Sequence, residues 1–100
     1  MSIEVIKLDE ERTIKLRMPE RFDFNLHREF RQACEDNPES SCYIIDFDRT
    51  EYLDSSALGM LLQLWELAGA RETGVNIVNA RENVVEVLNI ANFGKLMQIS

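Results

Sequence analysis

The chain has 100 residues, of which 45% are hydrophobic and 29% charged, a composition typical of one soluble globular domain with a single core. Its formal net charge of −7 would repel a phosphate backbone, so nucleic acid is not an expected partner. The 2 cysteines and the single histidine fit no metal-binding spacing, so we expect neither a metal nor another cofactor.

Neither a membrane span nor a leader is predicted. The longest apolar stretch, Ala57 to Ala68, is too short to cross a bilayer and is interrupted by Gln63 and Glu66. The segment 1–8 does not resemble a signal peptide, because it contains Glu4 and lacks a cleavage site. We therefore expect a cytoplasmic protein with no membrane partner.

The first half of the chain predicts a hairpin, a helix and a strand. Apolar patterning over 3–8 and 13–18 indicates two strands joined by a polar turn at 9–12. Asn25 is the predicted N-cap of a helix that Asn37-Pro38 stops. The segment 42–47 lacks alternation, as expected of a central strand covered on both faces.

The second half begins with the most apolar helix of the chain. Its predicted sheet-facing side has apolar residues at helical spacing, namely Leu58, Leu61, Leu62 and Trp65. At about 100° per residue, Met60, Leu64 and Leu67 then point away from the sheet.

A strand over 75–78 follows, then a helix behind a capping box at 79–82, and a last strand over 96–99. The order ββαβαβαβ predicts one α/β domain over 1–100, with a mixed, mostly parallel sheet of about five strands and three helices packed on it.

A polar turn leads directly into the apolar helix. Asp54, Ser55 and Ser56 all have short side chains that accept hydrogen bonds from free N–H groups at a helix start. An anion at this position is stabilised by those groups and by the helix dipole. Either Ser55 or Ser56 is therefore a candidate phosphorylation site, although most serines at a helix start are only caps.

The segment Leu53-Asp-Ser-Ser-Ala-Leu-Gly59, following the hydrophobic strand 43–47, resembles the STAS domain, the fold of bacterial anti-sigma factor antagonists. The resemblance extends over nearly the whole chain. It implies that Ser56, the second serine of the motif, is phosphorylated and that Asp23 lies in a nearby loop. Alternatively, Asp23 is a helix-entry residue that competes with Asn25 as the cap. We predict that Ser55 is the structural cap and that Asp54 orients the turn.

A protein-binding face is predicted around Ser56. Its residues are Phe24, Ala57, Gly59, Met60 and Leu64. The apolar stripe of Met60, Leu64 and Leu67 suits a partner surface, unless a neighbouring helix covers it. The resemblance implies a partner-switching role for a monomer or weak dimer whose partner, an anti-sigma factor or a serine kinase/PP2C-type phosphatase regulator, binds when Ser56 is unphosphorylated.

Two alternatives stand beside this hypothesis. The first keeps the fold and makes the chain a non-switching STAS subunit of a transporter or stressosome-type assembly. The second is enzymatic, since Asp46, Asp48 and Thr50 match the D-x-D-x-T signature of haloacid-dehalogenase-type phosphatases. No acidic pair follows the strand 75–78, so we expect no enzyme and interpret Asp46 as bonding the local backbone.

Overall fold

A computed structural model describes residues 3–8, 12–36, 42–71 and 73–99. Strand β1 (Glu4–Lys7) pairs antiparallel with β2 (Thr13–Arg17), which confirms the predicted hairpin. Most of its turn, at 9–11, and the predicted helix stop at Asn37-Pro38 lie outside the described residues.

Short β3 (Arg21–Phe22) and β5 (Tyr52–Leu53) form a separate two-stranded parallel sheet. The main sheet continues from β2 through β4 (Cys42–Asp46), β6 (Val75–Val78) and β7 (Gln98–Ile99), all parallel. Its spatial order is β1-β2-β4-β6-β7, so the predicted five-stranded mixed sheet is confirmed.

Three helices connect the parallel strands: α1 (His27–Glu35), α2 (Ser55–Leu67) and α3 (Glu82–Ile90). Along the chain from β2 to β7, each new parallel strand of the main sheet lies beside the preceding one and always in the same direction across the sheet. Because such crossovers are right-handed, all three helices lie on one face of the sheet.

The core fills the space between the sheet and these helices. Residues with no exposed surface come from both layers, among them Leu16, Ile45, Leu61, Ile77 and Leu88. The opposite sheet face is less covered: Lys15, Ile44 and Asn76 alternate with the buried residues and are half-buried. The prediction that both faces of β4 are covered is therefore wrong for its outer face.

Two predicted helix caps are also wrong. The alternative cap Asp23 is found in place of Asn25: its carboxylate accepts from the Asn25 N–H at 3.0 Å at the start of a 3₁₀ helix (Phe24–Leu26) that runs into α1. Asn79 does not form a capping box, because its φ of 58° is left-handed and its amide donates to Asp46 Oδ1 at 3.1 Å. The last predicted strand shortens to β7, because a 3₁₀ helix (Phe93–Lys95) precedes it.

The largest correction concerns the orientation of α2. Its buried side is made of Ala57, Met60, Leu61 and Leu64, whereas Leu62 is 37% exposed. Relative to the prediction the helix is rotated by roughly 100°, the angle of one residue. The reason is that α2 is the middle helix of three and packs against α1 as well as the sheet.

Candidate functional site

The candidate site is built by the small sheet of β3 and β5. Phe22 pairs with Leu53 in parallel register, and the Asp54 N–H donates to the Phe22 carbonyl at 3.4 Å. Asp23 and Asp54 directly follow these paired residues and emerge at the same end of the small sheet. Asp23 and the Asp54–Ser56 turn therefore follow neighbouring strands, and the role of Asp23 as a neighbour of a phosphorylated Ser56 stays a prediction.

Each of the two aspartates caps the helix that follows it. Asp54 has an extended backbone (φ −113°, ψ −175°), and its Oδ1 accepts from the Ala57 N–H at 3.0 Å. The prediction that Ser55 is the cap is therefore wrong. Ser55 is already the first residue of α2, so the N-cap position falls on Asp54, the residue before it.

Ser56 is the second residue of α2 and is half-buried, while Ser55 beside it is exposed. No side-chain hydrogen bond links Ser56 to any residue that the structure describes. The first N–H groups of a helix have no partner within the helix and form the positive end of its dipole. The Ser56 hydroxyl therefore lies in a place that favours an added negative charge.

The charges around this turn are unevenly neutralised. Arg21 Nε lies 3.5 Å from Asp23 Oδ2, and its guanidinium carbon lies 4.4 Å from the centre of the Tyr52 ring. Among the described residues, Asp54 has no ion pair, so its carboxylate, two residues before Ser56, is held only by the Ala57 N–H. The sequence did not indicate Arg21 or Tyr52, because strands of two residues have no detectable periodicity.

The predicted binding residues separate into two groups. Phe24 is 68% exposed and stacks on His27 with ring centres 6.1 Å apart, and Gly59 is exposed with open space beside its Cα. These two residues lie at a surface.

The other three predicted binding residues, Ala57, Met60 and Leu64, are buried, with at most 3% of their surface exposed. Their placement on a partner-binding surface is wrong, because the flank of α2 that carries them packs within the core and against α1. The accessible side of α2 instead carries Ser55, Gly59 and Leu62, of which only Gly59 was a predicted binding residue. The rest of this side could not be predicted, because α2 is apolar around most of its circumference.

The Asp46 carboxylate is held by hydrogen bonds and by nearby cationic side chains. Its Oδ1 accepts from the N–H of Asp48 at 2.9 Å, which confirms the predicted bond to the local backbone, and also from the Asn79 amide. Lys15 Nζ and Arg17 Nε lie 3.5 Å and 3.7 Å from its Oδ2. Burial alone would raise the pKa of Asp46, but the hydrogen bonds and the Lys15 ammonium together lower it below its ordinary value.

The third residue of the phosphatase-like signature is also engaged, since Thr50 Oγ1 donates to the Pro19 carbonyl at 2.8 Å. Within the described ranges, no three His, Cys, Asp or Glu side chains come together as a metal site. In the same part of the chain, no helix has the length and apolar character needed to cross a membrane.

Comparison with known proteins gives a family and a relative. The family described as "Mlab, STAS domain" matches residues 7–98. A STAS-domain containing protein of Pseudomonas aeruginosa (strain UCBPP-PA14) is 36% identical over 103 residues, which cover 100% of both chains.

Solved structures share the fold at low sequence identity. The anti-sigma factor antagonist SpoIIAA in its unphosphorylated form has a TM-score of 0.82 at 18% identity, covering 99% of this chain and 88% of that one. The phosphorylated form of SpoIIAA from Bacillus has a TM-score of 0.69 at 16% identity, covering 99% and 91%. A putative anti-sigma factor antagonist from Thermotoga maritima has a TM-score of 0.79 at 19% identity, covering 97% and 84%. The chain therefore belongs to the STAS domain family and has the fold of the anti-sigma factor antagonist SpoIIAA.

Proposed function

We propose that this protein is an anti-sigma factor antagonist, a binding module that is switched by phosphorylation of Ser56. Its partner, bound when Ser56 is unphosphorylated, is an anti-sigma factor or a serine kinase/PP2C-type phosphatase regulator. This pathway operates in the cytoplasm, and the chain catalyses no reaction in it. The observation that carries the proposal is the Ser56 hydroxyl, which lies in the first turn of α2 without a side-chain partner among the described residues, one turn before the exposed Gly59.

In the free protein, phosphorylation of Ser56 costs little. The phosphate adds about −1.5 to −2 of charge at neutral pH. Water solvates most of it, and the amino-terminal N–H groups of α2 stabilise it by roughly 0.3–1 kcal/mol. The protein can therefore hold the modified serine without a change of fold.

In the complex, the same phosphate is unfavourable. A partner that covers Ser56, Phe24 and Gly59 removes water from the phosphate and leaves it two residues from the carboxylate of Asp54, which has no ion pair among the described residues. A penalty of roughly 3–4 kcal/mol would weaken binding a few hundred-fold, since each 1.4 kcal/mol is a factor of ten. This loss is sufficient for a switch and requires no movement of the backbone.

Three variants test the proposal by quantitative pull-down from the source organism. Ser56→Ala should retain its partner under all conditions, Ser56→Asp should lose most of it, and Ser55→Ala serves as the neighbouring control that behaves like the wild type. Equal capture by Ser56→Ala and Ser56→Asp would remove Ser56 from the mechanism.

Incubation with ATP and the cognate kinase separates the switch from a permanent structural subunit. A mass gain of one phosphate on Ser56 supports switching. Absence of the phosphate would favour the alternative, in which the chain is a constant part of a transporter or stressosome-type assembly.

A further inference from the structure

A groove between α1 and α2 is separate from the Ser56 turn. It forms a half-open cavity of about 360 Å³, within the range of roughly 300–1,000 Å³ that small-molecule sites occupy. Its floor is apolar and consists of Phe30, Cys34, Met60 and Leu64, none of which is more than 6% exposed. These side chains are fixed by the core, so the groove is preformed, but each exposes little surface, and the exposed Leu67 supplies most of the accessible apolar area.

The rim of the groove supplies a small number of polar groups. His27 and Arg31 lie one turn apart on α1, and Gln63 and Leu67 line it from α2. Leu67 is 69% exposed, so one end of the groove continues as apolar surface. An elongated ligand with one polar end would match this distribution.

Arg31 is the charged group best able to hold such a ligand. Its Nε lies 3.2 Å from Glu35 Oε2, but both side chains are at least 60% exposed. An exposed pair of this kind contributes only about 0.3–0.5 kcal/mol, so a ligand can exchange with Glu35 at little cost. The planar guanidinium also matches a carboxylate in a bidentate arrangement.

We propose that the groove binds a single-chain amphiphile with a carboxylate head. The head lies between Arg31 and His27, near the positive end of the α1 dipole, and the chain runs over the apolar floor towards Leu67. Glu35 remains on the rim, so a monoanionic carboxylate is favoured over a dianionic phosphate. The ligand makes no use of Ser56, so this site stands or falls independently of the proposed switch.

Four decyl compounds test the class of ligand, each titrated into the whole ¹⁵N-labelled chain below its micelle-forming concentration. Decanoate should shift amide resonances of α1 and α2 along the groove and bind most tightly. Decanol, decyl phosphate and decyltrimethylammonium should bind more weakly. Shifts outside the groove, or equal affinity for decanoate and decyltrimethylammonium, would overturn the proposal.

Two pairs of surface variants locate the head and the chain. Arg31→Gln should weaken decanoate at least about tenfold and leave decanol unchanged, whereas Arg28→Gln, exposed on the same helix, should change neither. Leu67→Glu should weaken decanoate and decanol roughly fivefold or more, whereas Ile90→Glu, at a position 77% exposed on α3, should not. Unchanged decanoate affinity in Arg31→Gln or in Leu67→Glu would contradict the site.

Discussion

Asp54 stabilises the start of α2 through one hydrogen bond from the Ala57 N–H. Replacing an N-cap aspartate with alanine leaves that N–H unsatisfied, so Asp54→Ala should lower the free energy of unfolding by about 1 kcal/mol. Asp54→Ser retains an acceptor at the same position, so it should lower the free energy of unfolding by only a few tenths of about 1 kcal/mol. Urea unfolding of the three proteins measures the difference, and equal losses in both variants would show that the cap is not the cause.

Asp46 makes stability depend on pH, because its pKa in the folded protein lies below the ordinary value of 3.8. A lowered carboxyl pKa contributes stability that is fully present above the unfolded pKa and is lost as pH falls through the folded pKa. The difference in unfolding free energy between wild type and Asp46→Asn should therefore be constant near neutral pH and shrink below about pH 4.

Unfolding in urea at a series of pH values checks this expectation. Asp48→Asn is the matched control, since it removes an exposed carboxylate two residues away. A difference for Asp46→Asn that stays constant down to pH 2 would contradict the assignment.

At the scale of elements, the rotation of α2 can be tested by stability. Leu64 is fully buried, so Leu64→Ala should cost roughly 2–5 kcal/mol through lost burial and a new cavity. Leu62 is 37% exposed, so Leu62→Ala should cost clearly less, about 1 kcal/mol. Chemical denaturation compares the two variants. A larger loss for Leu62→Ala would restore the orientation expected from the sequence.

Gly59 separates the stability of α2 from its proposed binding role. An added Cβ meets no atom within 4 Å, so Gly59→Ala should stabilise the helix by about 0.5–1 kcal/mol. If the partner approaches this backbone closely, the same methyl group should weaken the complex. Thermal unfolding and partner affinity should therefore move in opposite directions, and a gain in both would exclude Gly59 from the interface.

The elements that the sequence predicted well are those with a strong pattern. The hairpin and all three helices have clear apolar spacing and the central strand is a short apolar run, so their existence and order could be predicted from these patterns and from turn residues. The helix caps could not be predicted in this way. The side chain of Asn79, for example, donates a hydrogen bond to Asp46, a residue far from it in the sequence, and does not cap the following helix. The burial of Met60 could not be predicted either, because it depends on the place of α2 between its neighbours.

At the scale of the whole molecule, the topology gathers the sites on the helical layer. Consecutive parallel strands place all three helices on one face of the sheet. The turn at Asp23 leads into α1 and the turn at Asp54 leads into α2. The groove runs between these two helices. One pair of helices therefore presents both the proposed switch and the proposed ligand site, on different residues.

The most direct test of the switch compares the affinity of the purified partner for the protein with serine and with phosphoserine at position 56. The two forms should have the same fold by circular dichroism, because the phosphate lies at the solvated end of α2. Surface-based or calorimetric titration should then give a dissociation constant a few hundred-fold weaker for the phosphorylated form. Affinities within about threefold of each other, a difference of less than 1 kcal/mol, would contradict the proposed role of Ser56.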